Sequence, residues 1–230
     1  MATGDNTEGG SVSYAGPGEG FLALPDGPGP HPAVVVIQEW WGLNDHIKGL
    51  ARRFAAEGFA ALAPDLYHGQ VAAEPDDARK LAMALEQDRA VAEIQVAIDY
   101  LIGRDDVRPA QVAVIGFCMG GGLALRMAVD GSNVAIVAPF YGRPLSPEDA
   151  ARAKAPVVGS FGEQDGGIDA GAVRAMEAAL KAAGVPADIV FYPAGHAFFN
   201  ETRPAYDPES AAAAWDRTIA AFRAALGGAA

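Results

Sequence analysis

The sequence predicts an α/β fold with a mostly parallel central sheet and helices on both faces. Three observations carry this expectation. Strand-like runs alternate with helix-like periods along the chain, the pattern of parallel strands joined by crossover helices. Two runs, Ala33–Gln38 (AVVVIQ) and Val112–Ile115 (VAVI), are apolar almost throughout, as strands buried on both faces must be. The reactive side chains Glu39, Cys118, Asp165 and His196 each stand just past a strand-like run, and ligands of open α/β sheets bind beyond the carboxyl ends of the strands.

Taken in order, residues 1–19 are rich in Gly, Ser and Thr, contain no apolar signal core, and read as a loose N-terminal tail. Residues 20–230 read as a single domain, without an internal repeat or a linker. Gly20–Pro25 reads as an early edge strand, and Ala33–Gln38 as a central one. Asn44 or Asp45 caps a helix whose apolar stripe is Ile47, Leu50, Ala51, Phe54 and Ala55, stopped by Gly58. Phe59–Ala63 is the next strand. After a loop, 67–74, come two helical patterns, Pro75–Leu85 and one carrying Val91, Ile94, Ile98 and Leu101. Pro109 precedes the strand Val112–Ile115. Strands Val134–Ala138, Pro156–Phe161 and Ala187–Tyr192 follow. Helices marked by Val173, Met176 and Leu180, and by Trp215, Ile219, Phe222 and Leu226, complete the chain.

Composition narrows the function. With 230 residues, 50% of them hydrophobic, the chain is long enough for a sizeable core. A net charge of −12 argues against an electrostatic nucleic-acid partner. A single cysteine excludes an internal disulfide and a cysteine zinc cluster. No apolar run reaches the roughly 18 residues that would span a membrane. The expectation is a cytoplasmic monomer or homodimer acting on a small molecule, with no nucleic-acid or membrane partner. No metal-ligand spacing occurs, and the Gly116–Gly122 cluster lacks the lysine and hydroxyl of a phosphate loop, so no cofactor is expected.

The chemistry centres on Val112–Gly122, VAVIGFCMGGG. A β-branched strand runs into Gly116-Phe117-Cys118-Met119-Gly120, and Leu123, Ala124 and Met127 start a helical period. Strand, glycine-flanked turn and helix describe a nucleophile elbow with cysteine in place of serine. Such a turn strains its central residue, so close neighbours must lack side chains. The helix N-terminus beneath the sulfur favours a thiolate and, later, an oxyanion. The bland alternative is a glycine-rich turn holding a buried, inert cysteine. The order nucleophile, acid, histidine is that of α/β-hydrolases. In that reading Cys118 is the nucleophile, His196 the general base and acid, and Asp165 the residue that orients the imidazole. Asp169 is a rival acid but fits better as a helix cap. Trp40, Trp41, Phe117, Tyr141 and Phe198 are candidate pocket walls, at least half of them expected in the core. His46 and His68 read as surface loop residues.

Five motifs together are more specific: Gln38-Glu39-Trp40-Trp41-Gly42, Pro64-Asp65-Leu66-Tyr67, Gly116-Phe117-Cys118-Met119-Gly120-Gly121, Gly162-Glu163-Gln164-Asp165 and Gly195-His196-Ala197-Phe198. Through them the chain resembles the dienelactone hydrolase (carboxymethylenebutenolidase-like) family of the α/β-hydrolase superfamily. The resemblance implies a cofactor-free Cys–His–Asp triad acting on small esters and lactones, dienelactone first among them, in the breakdown of aromatic compounds. It also implies that Glu39 contacts the resting cysteine and governs its deprotonation. A carboxylate beside Trp40 and Trp41 would be partly desolvated, making it a better proton acceptor. The oxyanion hole is expected from the backbone N–H groups of Met119 and Trp40.

One departure bears on substrate. Family members that cleave dienelactone hold its carboxylate with arginines, one of them four residues after the catalytic histidine, where this chain has Asn200. Arg203, Arg89 and Arg79 are the candidate replacements, because only a guanidinium grips a carboxylate with a fork. Trp41, Tyr141 and Phe198 are the candidate apolar contacts. A general carboxylesterase acting on neutral esters is the runner-up. A non-catalytic, thiol-sensing protein of the same fold is the reading from another class, and it would need neither His196 nor Asp165.

Overall fold

A computed structural model describes residues 9–16 and 18–227 of the chain. In chain order its strands are β1 Gly10–Tyr14, β2 Gly18–Ala23, β3 His31–Ile37, β4 Ala60–Pro64, β5 Val107–Phe117, β6 Val134–Phe140, β7 Val157–Gly162 and β8 Ala187–Tyr192. The helices are α1 Asp45–Ala56, α2 Pro75–Ala84, α3 Gln87–Ile102, α4 Met119–Asp130, α5 Pro147–Ala150, α6 Ala170–Ala182 and α7 Pro208–Leu226. The strands form one mostly parallel sheet in the order β1-β2-β4-β3-β5-β6-β7-β8. No described helix is long and apolar enough to cross a membrane. The chain divides after Val112 into two compact units.

In the first unit, β3 runs parallel to β4 with Ala33 opposite Ala60. Val34, Val35, Val36 and Ile37 have no exposed surface, which is why the run could be apolar without alternation. β2 pairs antiparallel with both β4 and β1. Three expectations are corrected here. Part of the supposed tail is ordered, because Gly10–Tyr14 forms a hairpin with β2 in which Gly10 faces Leu22; residues 1–8 lie outside the described residues. Consequently the early strand is not an edge, since β1 covers its outer side. Asn44, not Asp45, caps α1, its Oδ1 accepting the Ile47 N–H at 3.2 Å. His46 is not a loop residue. It is buried on α1, four and eight residues before Leu50 and Phe54 on one stripe.

In the second unit, β6, β7 and β8 run parallel, with Phe140 opposite Ser160 and Gly162 opposite Tyr192. α4 packs on β6, and α7 covers β6 and β7 through Trp215, Ile219, Phe222 and Leu226. Arg217 of α7 clamps the sheet's last two strands. Its guanidinium donates to the Gly159 carbonyl, to Ser160 Oγ at 2.9 Å and to Asp188 Oδ2 at 2.7 Å. The short helix α5 was not expected, and β5 begins at Val107, running through Pro109 rather than after it.

Candidate active site

The fold sets the elbow first. β5 ends at Phe117 and α4 begins at Met119, leaving Cys118 alone to make the turn at φ 54°, ψ −113°. This region strains a residue with a Cβ by about 1–3 kcal/mol, so the surroundings must hold it. They do so through the main chain. The Cys118 N–H donates to the Phe140 carbonyl at 3.0 Å, and its own carbonyl accepts from Gly121 and Gly122 at 3.0 and 3.3 Å. The glycines are a steric requirement of this cradle. A Cβ on Gly116 would overlap the Gly120 carbonyl, one on Gly121 would stand 2.6 Å from the Phe140 oxygen, and one on Gly142 would overlap the main chain of Gly121 and Gly122. Cys118 is partly exposed, not a buried filler. Met119 is the first helical residue, in the turn whose N–H groups and dipole favour an anion.

Asp165 and His196 come from the turns after β7 and β8, and the structure brings them together. His196 Nδ1 lies 2.7 Å from Asp165 Oδ2. The other carboxylate oxygen, Oδ1, accepts the N–H groups of Gly167 at 2.8 Å and Ile168 at 3.2 Å. The carboxylate is therefore fixed in rotation, and its side chain is 1% exposed, against 38% for His196. Only an Nδ1–H can bond Oδ2, so Nε2 is left as the basic nitrogen. The two turns are tied by their backbones, with Glu163 N–H donating to Tyr192 O at 2.8 Å and Gln164 N–H to Ala194 O at 3.0 Å. Gly162 permits this approach, because a Cβ there would overlap the Ala194 carbonyl. Asp169 does not compete for the imidazole. It caps α6, its Oδ1 accepting the Gly171 N–H at 2.8 Å.

The aromatics resolve mostly into core. Phe117, Tyr141 and Phe198 have no exposed surface, which corrects Tyr141 and Phe198 as substrate contacts. Tyr141 supports the site from beneath, with its ring centroid 5.1 Å from that of His196. Phe198 packs on Tyr141 and Tyr192, each at 5.4 Å. In the first unit, Trp41 is also buried, with Ala72 and Ala78, while Trp40 is only partly so and meets Trp41 edge to face at 5.2 Å. Glu39, one residue beyond Gln38 at the end of β3, is 2% exposed rather than a solvated loop carboxylate. Gln38 is buried too, its Oε1 accepting the Leu66 N–H at 3.2 Å.

The three candidate arginines belong to three different segments. Arg79 is exposed on α2, 3.9 Å from Asp76. Arg89 is engaged by Glu93 at 2.8 Å and by His68 at 3.2 Å. Arg203 is half-buried in the turn that follows Asn200. Asn200 itself has a structural task. It is fully buried, and its Oδ1 accepts from Thr202 N–H at 3.0 Å and Thr202 Oγ1 at 2.6 Å. Sequence reading missed a cleft between segments 143–147 and 167–169. The available signal was position, since the first segment follows β6 and the second follows the turn carrying Asp165.

Comparison with known proteins agrees with this architecture. The model of the dienelactone hydrolase family matches residues 19–226. Protein usf of Aquifex pyrophilus is 36% identical over 219 residues, covering 89% of this chain and 92% of that one. A Methylorubrum extorquens protein named "Putative carboxymethylenebutenolidase" is 34% identical over 219 residues, covering 88% of this chain and 75% of that one. Among solved structures, a dienelactone hydrolase-like promiscuous phosphotriesterase from metagenomic libraries superposes with a TM-score of 0.85 at 28% identity, covering 96% of this chain and 99% of that one.

Proposed function

Because the chain belongs to the dienelactone hydrolase family, we propose that it is a cofactor-free thiol hydrolase of small esters and lactones. The observation that carries this reading is the Asp165–His196 hydrogen bond of 2.7 Å, in which the remaining carboxylate oxygen is spent on two backbone donors. A turn alone uses only Oδ1, as an Asx turn does; Oδ2, held against His196 Nδ1, is what selects one tautomer of the imidazole. With Nδ1–H committed to Asp165, Nε2 takes the thiol proton of Cys118, and the thiolate attacks the carbonyl carbon. Negative charge builds on the carbonyl oxygen, where the Met119 and Trp40 N–H groups are the assigned donors. The intermediate collapses to a thioester. The leaving alkoxide, which stays attached when the substrate is a lactone, takes its proton from His196. Water then gives a proton to Nε2 and attacks the thioester, releasing the carboxylic acid and restoring the thiol. Glu39, buried in the first unit, keeps the part that the family resemblance gives it, control of the resting thiol's proton.

Dienelactone is the first choice of substrate within the class, and Asn200 is the residue that weighs against it. The test is hydrolysis of 4-nitrophenyl acetate by the parent and by Cys118→Ala. Turnover at least about 100-fold above the variant is expected, since members of a triad act as a unit. Equal rates would remove the hydrolase reading and leave the thiol-sensing one.

A further inference from the structure

We propose that Tyr141 is the positioning residue of the base: its ring, carried by a strained turn of backbone that also holds the elbow, stops the His196 imidazole from swinging about its single hydrogen bond to Asp165. The catalytic consequence rests on the hydrolase reading above; the restraint on the imidazole does not.

The bond to Asp165 cannot hold the base alone. A hydrogen bond of 2.7 Å fixes where Nδ1 stands, but the ring can still pivot there and carry Nε2 with it. Nδ1 and Nε2 are about two bond lengths apart across the ring, so a pivot of about 30° moves Nε2 by roughly 1 Å. Proton transfer needs its heavy atoms within about 2.6–3.2 Å, and a misplacement of roughly 1 Å can cost about 10²-fold in rate. Solvent offers no wall against the swing, and the His196 side chain is 38% exposed. On the protein side it meets the ring of Tyr141, centroid to centroid 5.1 Å, at an interplanar angle of 59°. Two aromatic rings at that separation are in contact, so a swing toward the core runs into Tyr141.

Tyr141 is itself held firmly. It has no exposed surface, and Phe198, Phe140 and Phe117 pack on its ring at centroid distances of 5.4, 6.2 and 6.3 Å. Its N–H donates at 2.8 Å to the carbonyl of Ser160, on the strand that leads to Asp165. Its φ is 39°, in the left-handed region that strains a residue with a Cβ by about 1–3 kcal/mol. The turn lies between two contacts with the elbow. On one side the Phe140 carbonyl accepts the Cys118 N–H, and on the other Gly142 packs against the main chain of Gly121 and Gly122. Segment 140–142 therefore carries the support of the base and the main-chain anchor of the nucleophile as one piece. The histidine turn answers it twice. Ala197, with φ 62°, stands between His196 and Phe198, and both of those side chains meet Tyr141. Left-handed residues thus occur in the nucleophile turn, in its anchor and in the base turn, and strain of this kind collects where geometry must be exact.

The experiment replaces the ring and then restores it. Tyr141→Met fills most of the space with a flexible chain. Its maximal acylation rate on 4-nitrophenyl acetate, by stopped flow, is expected to fall about ten- to hundred-fold, with the half-saturating ester concentration within about threefold of the parent's. Tyr141→Phe, which keeps the ring, should recover most of the loss. The second readout is the downfield proton NMR signal of His196 Nδ1–H, assigned by its absence from His196→Gln. It should be sharp in the parent and in Tyr141→Phe, and broadened or lost through exchange with water in Tyr141→Met. Phe198→Leu, which removes a ring that Tyr141 leans on but leaves Tyr141 in place, should show a smaller loss of rate and a weaker signal, and it decides the matter if Tyr141→Met does not fold. An equal loss in Tyr141→Phe and Tyr141→Met overturns the proposal, and so does an unchanged Nδ1–H signal in the variant that decides. If the parent leaves the ester intact while the signal still depends on the ring, the hydrolase reading fails and the restraint stands. If the parent hydrolyses the ester and neither rate nor signal responds, the hydrolase reading stands and the restraint fails.

Discussion

Replacing Asp165 with asparagine changes one acceptor into a donor at a position where the protein dictates which one. In the parent, Oδ1 accepts from Gly167 at 2.8 Å and Ile168 at 3.2 Å, while Oδ2 meets His196 Nδ1 at 2.7 Å. The asparagine carbonyl must stay with the two backbone donors. Turning its NH2 toward them would strand buried donors at about 1–3 kcal/mol each. The NH2 then faces His196 Nδ1, which can bond it only as an acceptor. The imidazole moves its proton to Nε2 and loses the lone pair that takes the thiol proton. A loss of about 10³–10⁴ in acylation rate follows, the scale of the same swap in serine proteases, or about 4–5.5 kcal/mol of barrier. Stopped-flow release of 4-nitrophenolate measures it. Alkylation by iodoacetamide gives a second readout that reports on Cys118 alone, as the chain has one cysteine. An Asp165→Asn variant within about tenfold of the parent, or an Asp169→Asn variant as inactive as Asp165→Asn, would refute the tautomer reasoning.

Gly142→Ala should destabilise the fold by about 3 kcal/mol in urea, because its Cβ would overlap the Gly121 and Gly122 main chain; a loss under about 1 kcal/mol would mean that the cradle yields. Glu39→Gln should fold normally and slow acylation more than it weakens ester binding, and an unchanged kcat over about pH 6–9 would exclude the residue from proton control. The Arg104 guanidinium beside Asp106, with contacts of 2.8 and 2.7 Å, holds that carboxyl below its usual range. A lowered folded-state pKa adds stability above the unfolded value, lost as pH falls through the folded one. Asp106→Asn should therefore cost about 0.5–1 kcal/mol near pH 7, discounted for partial exposure, and cost little in strong acid. Equal destabilisation at both pH values would show that charge is not the cause.

What could be read from the sequence was whatever burial imposes on it. Val34–Ile37 is apolar because both faces are covered, and Asp165 and His196, which the structure pairs, stood out because each lies in the turn after a strand. β1 was missed because GSVSY lies at the edge of the sheet, where exposure permits polar residues that look like a tail. The start of β5 was missed for a related reason, since Arg108–Gln111 is exposed and carries a proline. His46 was misread by residue type, although its spacing from Leu50 and Phe54 already put it on the buried stripe. Tyr141 and Phe198 show a different limit. An aromatic beyond a strand end can wall a pocket or floor it, and only packing decides between the two.

The stitching of the turns after β7 and β8 has a consequence for how this scaffold tolerates change. The spacing of acid and base is set by strand register, by two main-chain bonds and by the Gly167 and Ile168 N–H groups that fix the Asp165 carboxylate. A slip of β8 by one residue would move His196 about 3.3 Å and turn its strand's side chains over. Arg217 resists that slip by bonding to both strands at once. For an engineer, 157–200 is then a self-aligning cartridge, to be transplanted or left alone as a whole together with its Arg217 latch. The segment 143–153 carries none of these stitches, so changes there leave the pairing of the two turns untouched.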